Sequence, residues 1–305
     1  MIYDVICVGG SYAGLSAAMS LGRALRNVLI IDAGEPANRQ TPHAHNVITL
    51  DGETPAAIAA KARRQVLAYP TVSLVNDRVT EARKTADGFA VSTQTGRTYA
   101  ARRLLLATGV ADQLPAVAGL TDCWGISALH CPYCHGYEVA GQQIGVLANG
   151  ETAIDMLRLM QQWSKQLTLF TNGPAQFDSA QWAQVGRLNV AVVENELAAV
   201  VHESGYVQHL VGATGAVYPL DALFVRPTVA HRNPLAEQLG CTFTPTKLIE
   251  ASEVGQTSVA GLYAAGDNST MMRAVSSAMA RGAAAGAFLN RELTDEDLLV
   301  GNEVG

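Results

Sequence analysis

Residues 5–32 set the first constraint on the fold. Val5-Ile6-Cys7-Val8 is a continuous apolar run, the pattern of a strand buried on both faces of a parallel sheet. It breaks into Gly9-Gly10-Ser11-Tyr12-Ala13-Gly14, after which Leu15 to Leu25 reads as an alanine-rich helix. A second apolar run, Val28-Leu29-Ile30-Ile31, ends on Asp32. The loop is a GxGxxG turn with Ser11 in place of the middle glycine. Gly9 permits the tight turn, and Gly14 lets helix and strand pack closely. The helix N-terminus offers free N–H groups and a positive dipole end to a pyrophosphate. An acid at the end of the second strand accepts a ribose 2′-hydroxyl and repels a 2′-phosphate. Strand, loop, helix, strand and acid in register predict a unit that binds an adenine dinucleotide. Gly9, Gly10, Ser11, Tyr12, Ala13, Gly14 and Asp32 are its binding residues.

The second informative stretch is Cys131-Pro132-Tyr133-Cys134-His135-Gly136-Tyr137-Glu138. Two thiols two residues apart can close a disulfide or share a proton, and His135 could handle that proton near neutral pH. Three chemistries share the pattern. One is a redox dithiol beside an electron-transfer cofactor. Another is a zinc knuckle, which needs a second ligand pair, and no other CxxC occurs. The third is haem attachment, because Cys131-x-x-Cys134-His135 fits CxxCH.

Composition narrows the classes. The chain has 305 residues, 49% hydrophobic, enough for one large or two medium domains with buried cores. Its formal net charge is -6 and its longest basic runs are pairs, which argues against a nucleic-acid or acidic-lipid surface. Five cysteines do not make a disulfide scaffold at this length. With no basic leader and no long apolar run, the expectation is a cytoplasmic protein outside the membrane, and this weakens the haem reading.

Between these stretches, residues 34–52 are loop-like and carry Pro36, Pro42, His43, His45 and Asn46. Such a loop either passes over a cofactor or is a solvated connection. Thr54 to Ala68 reads as a helix. Val72–Val79, Phe89–Thr93 and Thr98–Ala101 read as a small antiparallel layer with turns at Gly88 and Gly96. Leu104-Leu105-Leu106-Ala107-Thr108-Gly109 and Gly261-Leu262-Tyr263-Ala264-Ala265-Gly266-Asp267 are apolar strands ending in small residues, where a backbone can approach a cofactor. Arg273 to Leu289 is an Ala/Gly-rich helix suited to close packing on a sheet, and the acidic run 292–303 reads as a solvated end. Cys7, Cys123 and Cys241 read as buried or incidental, and no metal site is expected.

In this order, Gly9 to Gly14, Asp32, Ala107-Thr108-Gly109, Cys131-x-x-Cys134 and Gly261 to Asp267 make the whole chain resemble the low-molecular-weight thioredoxin reductases. Cys131 to Glu138, with Gly9 to Gly14, is most similar to the thioredoxin-reductase-like branch. That branch includes the dithiol oxidases of gliotoxin-type and holomycin-type biosynthesis. The resemblance implies a pyridine nucleotide-disulfide oxidoreductase holding FAD non-covalently in a split domain, with an inserted domain that carries the dithiol and binds NADPH or NADH. It places the FAD pyrophosphate along Gly9, Ser11, Ala13 and Gly14, the adenosine ribose on Asp32 and the adenine against the backbone of Val79. Arg39 joins the cofactor-binding residues. Ala107, Thr108 and Gly109 would line the flavin site, and Asn46 would reach its ring. Gly266 and Asp267 would bind the ribityl chain, and Ala274 and Val275 would aim N–H groups at one ring edge. Cys134 becomes the flavin-proximal thiol and Cys131 the interchange thiol. His135 stands where the common family motif has Asp.

The second nucleotide loop departs from the family pattern. After the strand-like Gln143 to Leu147, the GxGxxA loop has Ala148 in place of its first glycine and keeps Gly150 and Ala153. No Arg occurs between Arg158 and Arg187, where the family grips a 2′-phosphate; Arg226, His231 and Arg232 are candidates to supply that charge.

The expected fold is therefore α/β, with two Rossmann-like, three-layer ββα dinucleotide-binding domains, the second inserted into the first. The expected division is 1–115 plus 243–305 for FAD and 116–242 for the NAD(P)H-binding-like insert carrying the CxxC. The expected function is a thiol/disulfide oxidoreductase, an enzyme acting on sulfur groups, with NAD(P)H as donor. One alternative is a dithiol oxidase using O2; another is a non-enzymatic flavin redox sensor. Expected partners are a thioredoxin-like protein or a small-molecule disulfide or dithiol, and a second copy in a homodimer.

Overall fold

The computed structural model describes residues 2–302. β1 (Ile2–Val8), α1 (Tyr12–Arg23) and β2 (Val28–Asp32) form where the apolar runs and glycine turn predict them. In α2 (Pro55–Val66), Thr54 Oγ1 accepts the Ala57 N–H at 3.2 Å, and Pro55 sits in the first turn where its missing N–H costs nothing. β3 (Val72–Asn76) pairs parallel with β2, from Val28↔Val72 to Asp32↔Asn76. It therefore extends the main sheet and does not join the antiparallel layer expected for it. Local alternation reports which face is buried, not which distant strand supplies the pairing. That layer is instead β4 (Val79–Thr85), β5 (Gly88–Thr93) and the start of β6 (Thr98–Leu106). β6 is one long strand where two short ones were expected. It runs parallel to β1 from Ile2↔Ala100 to Val8↔Leu106.

The chain leaves this sheet through β7 (Val110–Gln113). The insert follows: α3 (Leu120–Cys123), β8 (Ala128–Leu129), α4 (Pro132–His135), β9 (Ile144–Leu147), α5 (Gly150–Met160), β10 (Leu167–Phe170), α6 (Ser179–Leu188), β11 (Ala191–Val193), the meander β12 (Leu197–Glu203), β13 (Tyr206–Gly212) and β14 (Val217–Pro219), and β15 (Ala222–Val225). Its parallel sheet has the order β11-β10-β9-β15-β8. The chain returns through β16 (Thr228–His231), which pairs antiparallel with β7. α7 (Leu235–Gln238), β17 (Leu262–Ala264) and α8 (Val275–Asn302) complete the first unit, with β17 parallel to the end of β6.

Each sheet is covered on both faces, which gives the three layers. In β1, Val5 and Cys7 point into a core with α1, α2 and α8, while Ile6 and Val8 point into a core with Phe89, Val91 and Ala82 of the antiparallel layer. Leu235, Ala236 and Cys241 belong to that second core. In the insert, α5 covers one face through Ile154 and Leu157, and the meander covers the other through Val200 and Leu210. Each fully buried Leu or Ile contributes roughly 1.5–3 kcal/mol. The fold is thus α/β with two Rossmann-like units, the second inserted into the first.

The small residues of the C-terminal helix pack on α1 as well as on the sheet: a Cβ on Gly282 would overlap the Ala13 carbonyl and one on Gly286 that of Ala17, while Ala285 and Leu289 share a core with Val5 and Cys7 of β1 and Tyr263 of β17. One expectation for this helix is corrected. The acidic run is not a solvated end within the described residues. Helix α8 continues to Asn302, and Glu292, Glu296 and Asp297 pair with Arg26, Arg102 and Arg103 at 2.5–3.3 Å. Glu303 lies outside the described residues. Among the described residues no helix is long and apolar enough to cross a membrane, and no group of His, Cys, Asp and Glu is placed to hold a metal.

Candidate active site

A cleft begins at the glycine loop between β1 and α1 and runs to the dithiol. Gly9 has φ +109°, and a Cβ there would overlap the Ala107 carbonyl. A Cβ on Gly10 would lie 2.8 Å from that of Asp32, and one on Gly14 would overlap the Gly9 carbonyl. The strand ends are drawn together so closely that only glycine fits, which leaves the backbone of Gly9 to Ala13 as cleft wall. Ser11 is the N-cap of α1 but makes no side-chain cap, so the first N–H groups of that helix have no side-chain partner. This is the cradle a pyrophosphate needs. Asp32 is fixed by the Gly10 N–H at 3.0 Å and by Arg63 of α2, a partner the sequence reading missed.

The lining continues with Val79, Ala107, Thr108, Gly109, Gly266, Asp267, Ala274 and Val275, all on strand ends or the start of α8. Buried Asn268 stitches two of these loops together, donating to Leu106 O at 2.8 Å and Thr108 Oγ1 at 3.3 Å. Burial raises the Asp267 carboxyl, and Arg273 opposes that rise from 3.5 Å.

Cys131 and Cys134 form a disulfide, their Cα atoms 5.3 Å apart. Cys131 is the N-cap of α4 and Pro132 its first residue, so the chain turns between the two cysteines. Trp163 backs this turn: a Cβ on Gly136 would lie 2.8 Å from the indole, and Tyr133 meets Trp163 edge-on at 5.5 Å. Cys134 and His135 line the cleft, whereas Cys131 does not. Burial holds the His135 imidazolium below its usual range, while nearby Glu138 raises it. His130, immediately before the dithiol, also lines the cleft. Its Nε2 is buried without a partner, and burial pushes its imidazolium down to about 4.

Asp112 on β7 joins the two units. Both its oxygens bind Arg273, at 2.7 and 3.0 Å, and Trp124 Nε1 of the insert donates to it at 3.3 Å. Nothing local in the sequence signals this hub. Arg232 also faces the first unit, donating to Val110 O at 2.9 Å and Glu35 O at 3.1 Å, so it does not supply charge to the second nucleotide loop.

Gly14, Arg39, Asn46 and Gly150 stand outside the cleft lining. Arg39 is exposed and donates to Pro36 O at 3.3 Å; Asn46 has φ +60° and lines a neighbouring hollow. Gly150 opens α5 with φ +62°. There, the side chain of Asn149 accepts the N–H groups of Gly150 and Gln176, both at 2.8 Å, and donates to Thr171 O and Pro174 O. Exposed Glu151 lies in the first turn of the helix. A pyrophosphate at this terminus meets an occupied cap and a like charge.

The cleft fits FAD. It presents a glycine cradle, an uncapped helix N-terminus, an acid at the end of the second strand and an unpartnered buried imidazole beside the dithiol. Comparisons with known proteins agree with this geometry. Thioredoxin reductase tcpT from Claviceps purpurea is 32% identical, over 96% of this chain and 94% of its own. A solved oxidoreductase from Agrobacterium tumefaciens is 40% identical with TM-score 0.90, covering 96% of this chain and 99% of that one. The crystal structure of HlmI is 31% identical with TM-score 0.94, covering 99% and 96%. The family model described as pyridine nucleotide-disulphide oxidoreductase matches residues 3–282, and the chain belongs to that family.

Proposed function

We propose that this protein is an FAD-dependent thiol/disulfide oxidoreductase in which Cys131 and Cys134 pass two electrons between a dithiol or disulfide substrate and flavin. The observation that carries the reading is the disulfide at one end of the glycine-cradled cleft, with Cys134 and His135 in its wall. Bound FAD supplies a two-electron acceptor or donor there. The α1 N-terminus would hold its pyrophosphate, Asp32 its ribose, Asp267 its ribityl chain, and the start of α8 the ring edge where negative charge develops. Cys131 is the interchange thiol and Cys134 the inward one. His135, kept neutral by burial, takes the proton of the Cys134 thiol and returns it when the disulfide is the acceptor.

The FAD-holding unit comprises 1–115 and 243–305, extended back to β16 because Leu235, Ala236 and Cys241 are buried in its core. The remaining insert carries the dithiol. The substrate is a thioredoxin-like protein or a small dithiol or disulfide. The reading includes a homodimer in the cytoplasm, which molar mass in solution and cell fractionation check.

Two directions of flow fit the dithiol. In one, NADPH or NADH is the donor and a disulfide is reduced. In the other, a dithiol is oxidised and O2 takes the electrons. The occupied Asn149 cap and the Glu151 charge favour the second. Anaerobic mixing of the FAD-loaded protein with NADPH, NADH or a small dithiol separates them by the loss of flavin absorbance. Rapid bleaching by a nicotinamide supports reduction; bleaching by the dithiol alone supports oxidation. No bleaching by any of the three contradicts both directions and leaves the non-enzymatic redox sensor.

A further inference from the structure

Arg63, Arg78, Arg232 and Arg273 line the main cleft. Arg63 pairs with Asp32, Arg78 with Glu35 and Arg273 with Asp112. Arg232 differs from these three. Among the described residues it bonds two backbone carbonyls and no carboxylate. It is half-buried, and burial pulls its guanidinium below the usual arginine range. Arg39 and Arg78 push the same way, while Glu35 and Asp112 oppose them from beyond pairing distance. A cation in such a place is costly unless an anion joins it.

The two bonds fix where Arg232 stands. Its Nε donates to Val110 O at 2.9 Å and its Nη1 to Glu35 O at 3.1 Å. Val110 comes just after β6, and Glu35 just after β2. In the sheet β1 lies between β2 and β6 and runs parallel to both. The three strands therefore end at one edge, and the glycine turn after β1 is flanked there by the two connections that Arg232 ties together. β16 brings Arg232 to this edge, because its last residue, His231, pairs with Val110. The remaining N–H groups of the guanidinium fork have no partner among the described residues. The glycine turn carries the uncapped α1 N-terminus, which supplies only part of a positive charge to a diphosphate.

Resting on the FAD reading above, we propose that Arg232 is the cation that clamps the FAD diphosphate at the glycine turn. The N–H groups not given to Val110 and Glu35 take phosphate oxygens, for which a planar guanidinium fork is suited. The clamp also acts on the chain itself. Arg232 lies where the insert returns to the first unit, so the diphosphate holds that return against the connections after β2 and β6. An arginine that the sequence makes a candidate for the second nucleotide is thereby assigned to the first.

The test follows release of FAD from the loaded full-length protein after dilution, read from the rise in flavin fluorescence, at several salt concentrations. Arg232→Met is expected to release FAD about 10- to 100-fold faster, the range for a hydrogen bond to a charged group. Wild-type release should quicken with salt, because screening weakens the attraction between guanidinium and phosphate. In Arg232→Met that salt dependence should flatten. Arg232→Lys, which keeps the charge and loses the fork, should release FAD at an intermediate rate and keep the salt dependence. Faster release from Arg232→Met with an unchanged salt dependence makes the side chain a brace for the two loops only, and overturns the assignment. So does release at the wild-type rate; if bleaching by NADPH is then lost, Arg232 serves the second nucleotide. If Arg232→Met does not fold, Arg232→Lys decides, and a salt-independent release from it overturns the clamp. A wild type that retains no FAD sinks the cofactor reading, and this inference with it.

Discussion

Arg273 holds both carboxylate oxygens of Asp112, at 2.7 and 3.0 Å, across the ribbon that joins the two units. Each side chain is 12% exposed. Removing one partner strands the other charge in a poorly solvated place. Asp112→Asn or Arg273→Met is therefore expected to cost about 3 kcal/mol, read from chemical unfolding of the FAD-loaded protein. The double variant should recover part of that loss, because it leaves no charge at position 112, and only the part tied to Asp267, which also loses Arg273, should remain. Trp124 should also report the change in its fluorescence, since its indole N–H bonds Asp112.

The contact between α1 and α8 yields a second prediction. An alanine in a helix interior is favoured over glycine by about 1 kcal/mol. Gly282 reverses this, because its Cβ would overlap the Ala13 carbonyl and overpacking costs about 1–3 kcal/mol. Gly282→Ala should therefore lower stability and weaken FAD retention, since Ala13 lines the cleft. Ala283→Gly, on the exposed side of the same helix, should lose only about 1 kcal/mol and retain FAD. Thermal melts with and without added FAD check both.

His130 makes stability depend on acid. Its folded imidazolium lies at about 4, against about 6.5 in an unfolded chain. Between those values the unfolded chain binds a proton that the folded chain does not. The contribution is complete above the unfolded value and is lost as pH falls toward the folded one. From pH 6.5 to about 5 the wild type should lose about 1.5 kcal/mol more than His130→Gln. Unfolding midpoints across that range give the comparison.

The cysteines have separable roles. With Cys131→Ser, the Cys134 thiolate remains in the cleft wall and should give the FAD-loaded protein a long-wavelength absorbance. Cys134→Ser should lack it. Spectra of the two variants at mildly alkaline pH decide, and the opposite pattern reverses the assignment.

The parts that were legible in the sequence are those whose partners are near in the chain. β1, the glycine turn, α1, β2 and Asp32 are read from one local stretch, and the dithiol turn from another. Parallel pairing was harder: β3 joins β2 through a register that alternation does not encode. Long-range polar contacts left no local signal. Asp112 and Arg273 are 161 positions apart, and Arg103 and Glu292 are 189. The acids of α8 read as a solvated end because their arginines lie on β6 and before β2. His45 reads only as part of the loop after β2, because its carboxylate partner Glu138 lies in the insert.

The most direct test of the account is anaerobic mixing of the FAD-loaded wild type, Cys131→Ser and Cys134→Ser with a small dithiol, following flavin absorbance. The account predicts prompt bleaching of the wild type and none in either variant, because electrons reach the flavin only through the paired sulfurs. Bleaching of either variant at the wild-type rate would contradict it.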